Sequence, residues 1–515
     1  MELSSGTKQF IQLILADWKL ILFLTTLFGV YFYYTSTFDF FKKKGISYIK
    51  PVIFLGNLGP RLTSKISFHE FQLQNYNHFK GQRYGGTFDG RKPVLTILDV
   101  DLIKAIMIRD FDHFTDRSTL SGKEAAYIQR SLLNLKGSEW KSVRSTLTPV
   151  FSSAKLRHML PLVQECSQQL VNFLEHYDGK DAEMKQTIGH FTLEVIGECA
   201  FGVKCDALTD KNSHFLKVAE KFDYMTKAKR VLVLCSMMLM PELFRLLKVS
   251  FLNLESTDEL VRILQATKLE RRSGKSKRND FLQLLIDFAN TQKNDAGDIK
   301  ELKHLDDDTI DAQCLLFLIA GYETSSTLLS FAIYTMATRP DLQEKLRVHV
   351  IEVTHGKEID YELLSQLTYL EAFLLETLRM YPPVARVDRT CTKPYTLPNS
   401  SVHLDVGDVV SIPIYGIHMD ADHYPEPHEF RAERFIGDEK KERPSHLFLP
   451  FGAGPRNCIG LRFAMISAKL AMVALLKNYR FSTSPKTENP ITFHKRAIFL
   501  KPQSGLWIHV EKLKQ

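Results

Sequence analysis

Tryptophan is scarce, with three in 515 residues, and cysteine is scarce and unpaired in pattern. The seven cysteines (Cys166, Cys199, Cys205, Cys235, Cys314, Cys391 and Cys458) are odd in number, scattered and never spaced C-x-x-C. That argues against a disulfide framework and against a zinc site. Charge of one sign does not dominate either: 67 Lys and Arg against 59 Asp and Glu leave a net +8. No helix-turn-helix or zinc-finger spacing accompanies this surplus, so nucleic acid is not the expected partner. A diffuse positive balance suits an anionic membrane or an acidic partner. Nothing in the composition suggests disorder, collagen or a repeat array, and a 44% hydrophobic share is ordinary for a folded chain with a large core. By length alone, one large domain and two or three smaller ones are both open.

The one strongly apolar stretch near the start runs from Trp18 to Tyr34, and it reaches spanning length when Phe10–Ala16 is included. Tyr31-Phe32-Tyr33-Tyr34 resembles an interfacial aromatic belt. Thr35-Ser36-Thr37 is a poor cleavage site, so a retained signal anchor is expected rather than a removed leader. Lys42-Lys43-Lys44 and Lys50 follow it at once, which leaves the main body in the cytoplasm by the positive-inside rule. Residues 1–44 are therefore read as anchor and basic flank, 45–60 as a stiff hinge rich in Pro and Gly, and 61–515 as the folded body. Val231–Met240 is a second apolar run, too short to span, that fits either core or a patch dipping into a membrane.

The body reads as mainly α with small β-sheets. A helix is expected from about Asp308 to Thr338, with Asp306, Asp307 and Asp308 at its positive end and Arg339-Pro340 stopping it. Ala312–Ala320 is apolar nearly all round, so this helix should cross the core. Another is expected after Gly137-Ser138, with Ser138 as N-cap, and another over Leu461–Leu476. Val402–Ile412 and Ile491–Val510 are the best strand candidates.

The chemistry concentrates at Phe451-Gly452-Ala453-Gly454-Pro455-Arg456-Asn457-Cys458-Ile459-Gly460. Gly452 and Gly454 admit backbone conformations closed to other residues, so the loop can turn N–H groups toward the sulfur. The following helix end should lower the thiol pKa. This F-x-x-G-x-R-x-C-x-G pattern resembles the haem-binding loop of the cytochrome P450 family. Three further motifs stand in the family's order: Trp140-Lys141-Ser142-Val143-Arg144, Glu376-Thr377-Leu378-Arg379, and Ala432-Glu433-Arg434-Phe435, where the family usually begins with Pro. The likeness runs from Ile46 to Val510, closest to microsomal animal members, above all the insect ones that handle foreign compounds.

The resemblance implies a P450 fold behind an N-terminal membrane anchor helix. It implies haem b held by Cys458 as axial ligand, with Arg456, Trp140, Arg144 and Arg389 toward the propionates and Phe451, Ala320, Gly321 and Gly460 against the macrocycle. Glu376, Arg379 and Arg434 would form a structural triad. Within Ala320-Gly321-Tyr322-Glu323-Thr324, a distorted helical turn would open a groove in which Glu323 and Thr324 steer protons. Tyr127, Phe317, Ile319, Ala320, Val384, Ala385 and Ile498 would face substrate, and none of them carries a charge. The implied activity is NADPH- and O2-dependent monooxygenation of a lipophilic small molecule, xenobiotic or endogenous, at the endoplasmic reticulum membrane. The chain has no nucleotide-binding loop of its own, so electrons would come from NADPH–cytochrome P450 reductase, with cytochrome b5 as a second candidate partner. A basic patch of Lys136, Lys141, Lys440, Lys441 and Arg443 would meet the acidic reductase. Two rival readings are a haem-thiolate isomerase or dehydratase acting on peroxides, and a non-enzymatic haem sensor; neither needs the Glu323–Thr324 pair.

Overall fold

The computed structural model describes residues 5–118, 126–210, 212–221, 253–274, 278, 280–294 and 306–514. Val231–Met240 lies outside the described residues. Eleven helices matter here: α1 Ser5–Thr35, α2 Phe68–His78, α3 Gly137–Leu147, α4 Ser153–Leu174, α5 Met184–Ile196, α6 Leu254–Arg272, α7 Phe281–Asn294, α8 Asp307–Thr338, α9 Pro340–Thr354, α10 Thr368–Met380 and α11 Leu461–Asn478.

The strands are β1 Tyr84–Asp89, β2 Lys92–Ile97, β3 Lys180–Glu183, β4 Val387–Thr390, β5 Val409–Ile412, β6 Tyr479–Thr483 and β7 Trp507–Lys512. One sheet has the order β1-β2-β5-β4, with only β2 and β5 parallel, and a second has the order β3-β7-β6, antiparallel throughout. Two apolar clusters result. The larger joins the helices around α8; the smaller lies under the first sheet and takes in Phe41 and Ile46.

Asp306 caps α8 by accepting the Thr309 N–H, and Arg339-Pro340 ends it as the sequence suggests, with Pro340 opening α9. α8 is long and apolar enough to cross a membrane, yet most of it is buried in protein. α1 is the opposite case. Its 31 residues span about 45 Å, and Leu20–Leu24, Leu27, Phe28, Tyr31 and Phe32 lie exposed. Residues 45–60 are rich in turns, but they are stitched down rather than free: Tyr48 bridges Gly86, and Gly56 bridges Asp89. A Cβ at Gly86 would fall 2.4 Å from the Phe41 ring, so the segment behind α1 is seated on the sheet.

Three local expectations change. Ser138 lies inside α3, whose cap position is Lys136. Val402–Ile412 is broken at Gly407, which takes φ +100° and donates its N–H to the Cys391 carbonyl, so only the two ends are extended. Of Ile491–Val510, only the last residues join a strand. β1 and β2, by contrast, form a hairpin that the Gly85-Gly86 pair obscured in the sequence.

Candidate active site

Cys458 lies two residues before Gly460, the cap of α11, and donates its N–H to the Phe451 carbonyl at 2.8 Å. Gly452 and Gly454 both take positive φ, and a Cβ at Gly454 would sit 1.8 Å from the Met107 carbonyl oxygen. No other residue fits there, which fixes how the loop meets the segment Ala105–Arg109. Beside Gly460, a Cβ would meet only the Phe151 ring, at 3.9 Å.

The Cys458 sulfur keeps accessible surface, yet desolvation is the strongest influence on it. Cys458 is thus accessible to solvent while protein surrounds it closely. Burial pushes the thiol up, against the Gly460 amide, Arg144, Arg117 and the Leu461 amide, which all favour thiolate. The helix end therefore acts in the expected direction but is outweighed by burial.

Around this thiol gather four arginines. Arg144 clamps Asn457, donating to its carbonyl at 3.0 Å and to its side-chain oxygen at 2.8 Å. Arg456 donates to the carbonyls of Thr115, Leu133 and Leu135, and its guanidinium lies 4.8 Å from the Trp140 ring. Arg389, fully buried on β4, donates one N–H to the Asp388 carbonyl, while its Nε and Nη2 have no partner. Arg117 donates to the Arg456 carbonyl, and its Nε is also unpartnered, as is that of Arg456.

These groups depress one another. Burial and then the Arg117 and Arg456 charges hold Arg389 far below its ordinary range, and burial with Arg117 brings Arg456 down to about 9. The nearest carboxylate to Arg456, Asp116, is 3.9 Å away. Buried guanidiniums with unused N–H groups are costly unless an anion reaches them. The residues therefore fit a flat group bearing two carboxylates, as haem does. Arg117 did not emerge from the sequence, because nothing local marks one arginine 341 positions before Cys458.

Glu376, Arg379 and Arg434 have no exposed side-chain surface. Arg379 grips Glu376 with two bonds of 2.7 and 2.8 Å, and Arg434 adds Nε at 3.3 Å. The turn Ala432–Phe435 forms without the usual proline. Arg443 leaves the expected basic patch: it donates to the Arg434 carbonyl, pairs with Glu439 and stacks on Tyr424. It still lines, with Lys440 and Arg462, a cavity of about 530 Å³ that also takes in Phe448, Phe451 and Gly452, and where Lys469 is buried and paired with Glu371 at 2.6 Å.

On α8 the helix is α throughout, so the expected distorted turn is not there. Ala320 is nonetheless exposed in mid-helix, and the Thr324 hydroxyl donates to its carbonyl at 2.6 Å. Gly321 faces elsewhere: a Cβ there would lie 2.5 Å from Ile196 Cδ1, so this glycine serves the crossing of α5 over α8. Glu323 is buried, with Oε1 3.2 Å from Lys185 Nζ and 3.4 Å from Lys501 Nζ, close enough to pair by charge though not aligned as hydrogen bonds.

Among the residues expected to face substrate, Phe317 packs in a ring cluster with Phe281 and Phe151, the ring nearest Gly460. Ile319 is partly buried against the core, Val384 is half-buried, and Ile498 is exposed on its loop. Ala385 departs from the expectation: it has no accessible surface and supports the loop from behind, its carbonyl accepting the Tyr415 N–H. The Tyr127 side chain lies outside the described residues.

A family model described as "Cytochrome P450" matches residues 48–509. The chain is 36% identical to Cytochrome P450 9e2 of Blattella germanica, over 93% of this chain and 95% of that one. It is 34% identical to Cytochrome P450 6a8 of Drosophila melanogaster (93% and 96%) and to Cytochrome P450 3A12 of Canis lupus familiaris (95% and 96%).

Proposed function

The chain belongs to the cytochrome P450 family and is a haem-thiolate monooxygenase; from that premise we propose that it inserts one atom of dioxygen into a neutral, lipophilic small molecule, using electrons from NADPH delivered by a partner reductase. The observation that carries the reading is Cys458 set beside buried Arg389 and Arg456 and half-buried Arg117, each of which holds a buried N–H group without a partner.

Cys458 is the proposed axial ligand, and Arg117, Arg389 and Arg456 the proposed holders of the propionates. Arg144 and Trp140 act one step back, Arg144 by clamping Asn457 and Trp140 by supporting Arg456. Phe451 and Gly460 flank the thiol, and Gly460 leaves space beside it. Bound there, haem supplies dioxygen binding and activation, which a thiolate ligand favours by donating electron density. Ala320 keeps the opposite wall small. Thr324 holds a hydroxyl proton on the Ala320 carbonyl, and rotation of the side chain frees it toward the gap. Glu323, flanked by Lys185 and Lys501, is the reserve carboxylate for the same transfer. No fixed charge among Phe317, Ile319, Ala320, Val384 and Ile498 selects an acid or an amine, which favours a neutral substrate.

The exposed apolar face of α1 supports insertion in the endoplasmic reticulum membrane, with Lys42–Lys44 keeping the catalytic body, from residue 61 on, in the cytoplasm. The exposed cations Lys440 and Arg462 at this cavity suit the acidic face of NADPH–cytochrome P450 reductase, and cytochrome b5 would compete for them.

The test is reconstitution with reductase, NADPH, lipophilic compounds and isotopically labelled dioxygen. Label in a product and loss of the thiolate-type reduced-CO band in Cys458→Ala support the reading. Rearrangement of a peroxide without NADPH, and no labelled product, would replace it with the isomerase. Thr324→Ala should consume NADPH while releasing peroxide instead of product.

A further inference from the structure

Among the described residues, no hydrogen bond joins the side chains of the buried triad directly to the Cys loop. What lies between them is His418, at the end of the short helix Ile414–His418 and fully buried. Its Nε2 is 3.1 Å from the Leu449 backbone N–H, which can only donate, so Nε2 is the acceptor and the ring proton sits on Nδ1. Nδ1 lies 3.1 Å from the Arg379 carbonyl, to which it therefore donates. The contact is returned, because Arg379 Nη1 donates to the His418 carbonyl at 2.8 Å. The ring is stacked on Phe448, with 14° between planes, and meets Tyr424 edge-on.

Leu449 leads straight into the loop. Its carbonyl accepts the Gly452 N–H at 2.9 Å, and the Phe451 carbonyl accepts the Cys458 N–H. From Glu376 through Arg379, His418, Leu449 and Gly452 to Cys458, every link is a hydrogen bond or a short run of chain. We infer that His418 is a positioning residue: its single neutral tautomer transmits the fixed geometry of the triad to the Leu449–Cys458 loop and so sets where the thiol stands.

Burial and the Arg379 charge hold the ring neutral, which keeps the acceptor at Nε2 available. The inference rests on Cys458 being the iron ligand only for its spectroscopic consequence; its structural part stands in the haem-free protein.

Three substitutions separate the two bonds. His418→Phe keeps the ring stack and loses both. His418→Asn keeps a donor near the Nδ1 position, and His418→Gln reaches an acceptor to the Nε2 position. Amide hydrogen exchange of Leu449 and Gly452, read in haem-free protein, should quicken about tenfold or more in the Phe and Asn variants, the factor one lost buried hydrogen bond implies. It should return toward the parent in the Gln variant. In the haem-loaded protein, the Phe and Asn variants should lose part of the thiolate-type reduced-CO band to the blue-shifted form, and Gln should restore it.

If the Phe variant does not fold, the contrast of Asn with Gln decides alone. Equal exchange at Leu449 in the Asn and Gln variants, or an unchanged CO band alongside quickened exchange, would overturn the proposal. Absence of the thiolate band in the parent itself would strike instead at Cys458 as ligand, and leave the exchange result standing.

Discussion

Two groups of buried arginine lie on either side of the Cys loop, and they differ in one respect. Arg379 and Arg434 are matched: Glu376 takes three of their N–H groups, carbonyls take others, and Arg434 Nη1, which makes no hydrogen bond, still faces the Glu439 carboxylate at 3.8 Å. Arg389 and Arg456 are as enclosed and Arg117 is half-buried, but none of the three has a carboxylate within hydrogen-bonding reach, and each keeps a buried N–H unused. A matched buried charge is scaffold, because its desolvation is offset inside the protein. An unmatched one is where a ligand carboxylate would offset the cost, which is the role proposed for these three. The same residue type thus has two roles, told apart by what surrounds it.

The comparison breaks first at Glu376. Glu376→Ala leaves the Arg379 guanidinium buried without a counter-charge, and Arg434 with only Glu439 at 3.8 Å, and should cost about 3–5 kcal/mol. Urea denaturation should register that loss with and without haem. A loss confined to the haem-loaded form would make the triad part of the cofactor site, not scaffold.

Acid should act nearly as strongly on the scaffold side. Burial first, then Arg379, holds His418 down to about 3, and burial holds His69 at about 4, both against an ordinary 6.5. The folded state then binds fewer protons than the unfolded one between those values. Stability is full above pH 6.5 and is lost as pH falls through 6.5 toward 3–4, on the order of 3–5 kcal/mol for one complete His titration. Thermal midpoints from pH 7 to 4 test this, and His418→Gln should flatten the decline. A flat profile in the parent would mean that these rings protonate as freely when folded as when unfolded.

Arg389→Met reverses the sign. Removing an unmatched buried charge should stabilise the haem-free protein by about 1–3 kcal/mol. It should also speed haem transfer to an acceptor protein by about tenfold or more, the loss of one charge-assisted contact. Destabilisation of the haem-free form by Arg389→Met would place Arg389 with the triad.

The matched group was partly readable in advance, because Glu376 and Arg379 are one helical turn apart and Arg434 stands in a motif of its own. The turns of the Cys458 loop were readable for the same reason: its ten residues carry their own glycines, and Gly452 and Gly454 take positive φ. α8 declared itself by unbroken apolar character. What stayed hidden depends on contacts between distant segments. Arg117 meets Arg456 across 339 positions, and His418 meets Arg379 and Leu449 through single hydrogen bonds. Arg443 looked like a surface cation by composition, but the fold turned it inward onto Tyr424. Ala385 was placed toward substrate by analogy, but its carbonyl's bond to Tyr415 turns it into a support.

The smallest effect tests the same distinction between filled and open surroundings on two neighbours of α8. Ala320 is exposed, whereas the space a side chain would take at Gly321 is filled by Ile196, with Cδ1 at 2.5 Å and Cγ1 at 3.0 Å. Gly321→Ala should gain about 1 kcal/mol of helix propensity and lose about 1–2 kcal/mol to the clash. The sum is within about 1 kcal/mol of the parent, since the obstructing atoms end a side chain that can rotate. Ile196→Val removes Cδ1, so the double variant should recover the propensity gain, a coupling of about 1 kcal/mol in a thermal-denaturation cycle. If Gly321→Ala instead weakens haem retention, and Ile196→Val does not restore it, the glycine borders the open gap with Ala320 and the crossing of α5 over α8 is not its reason.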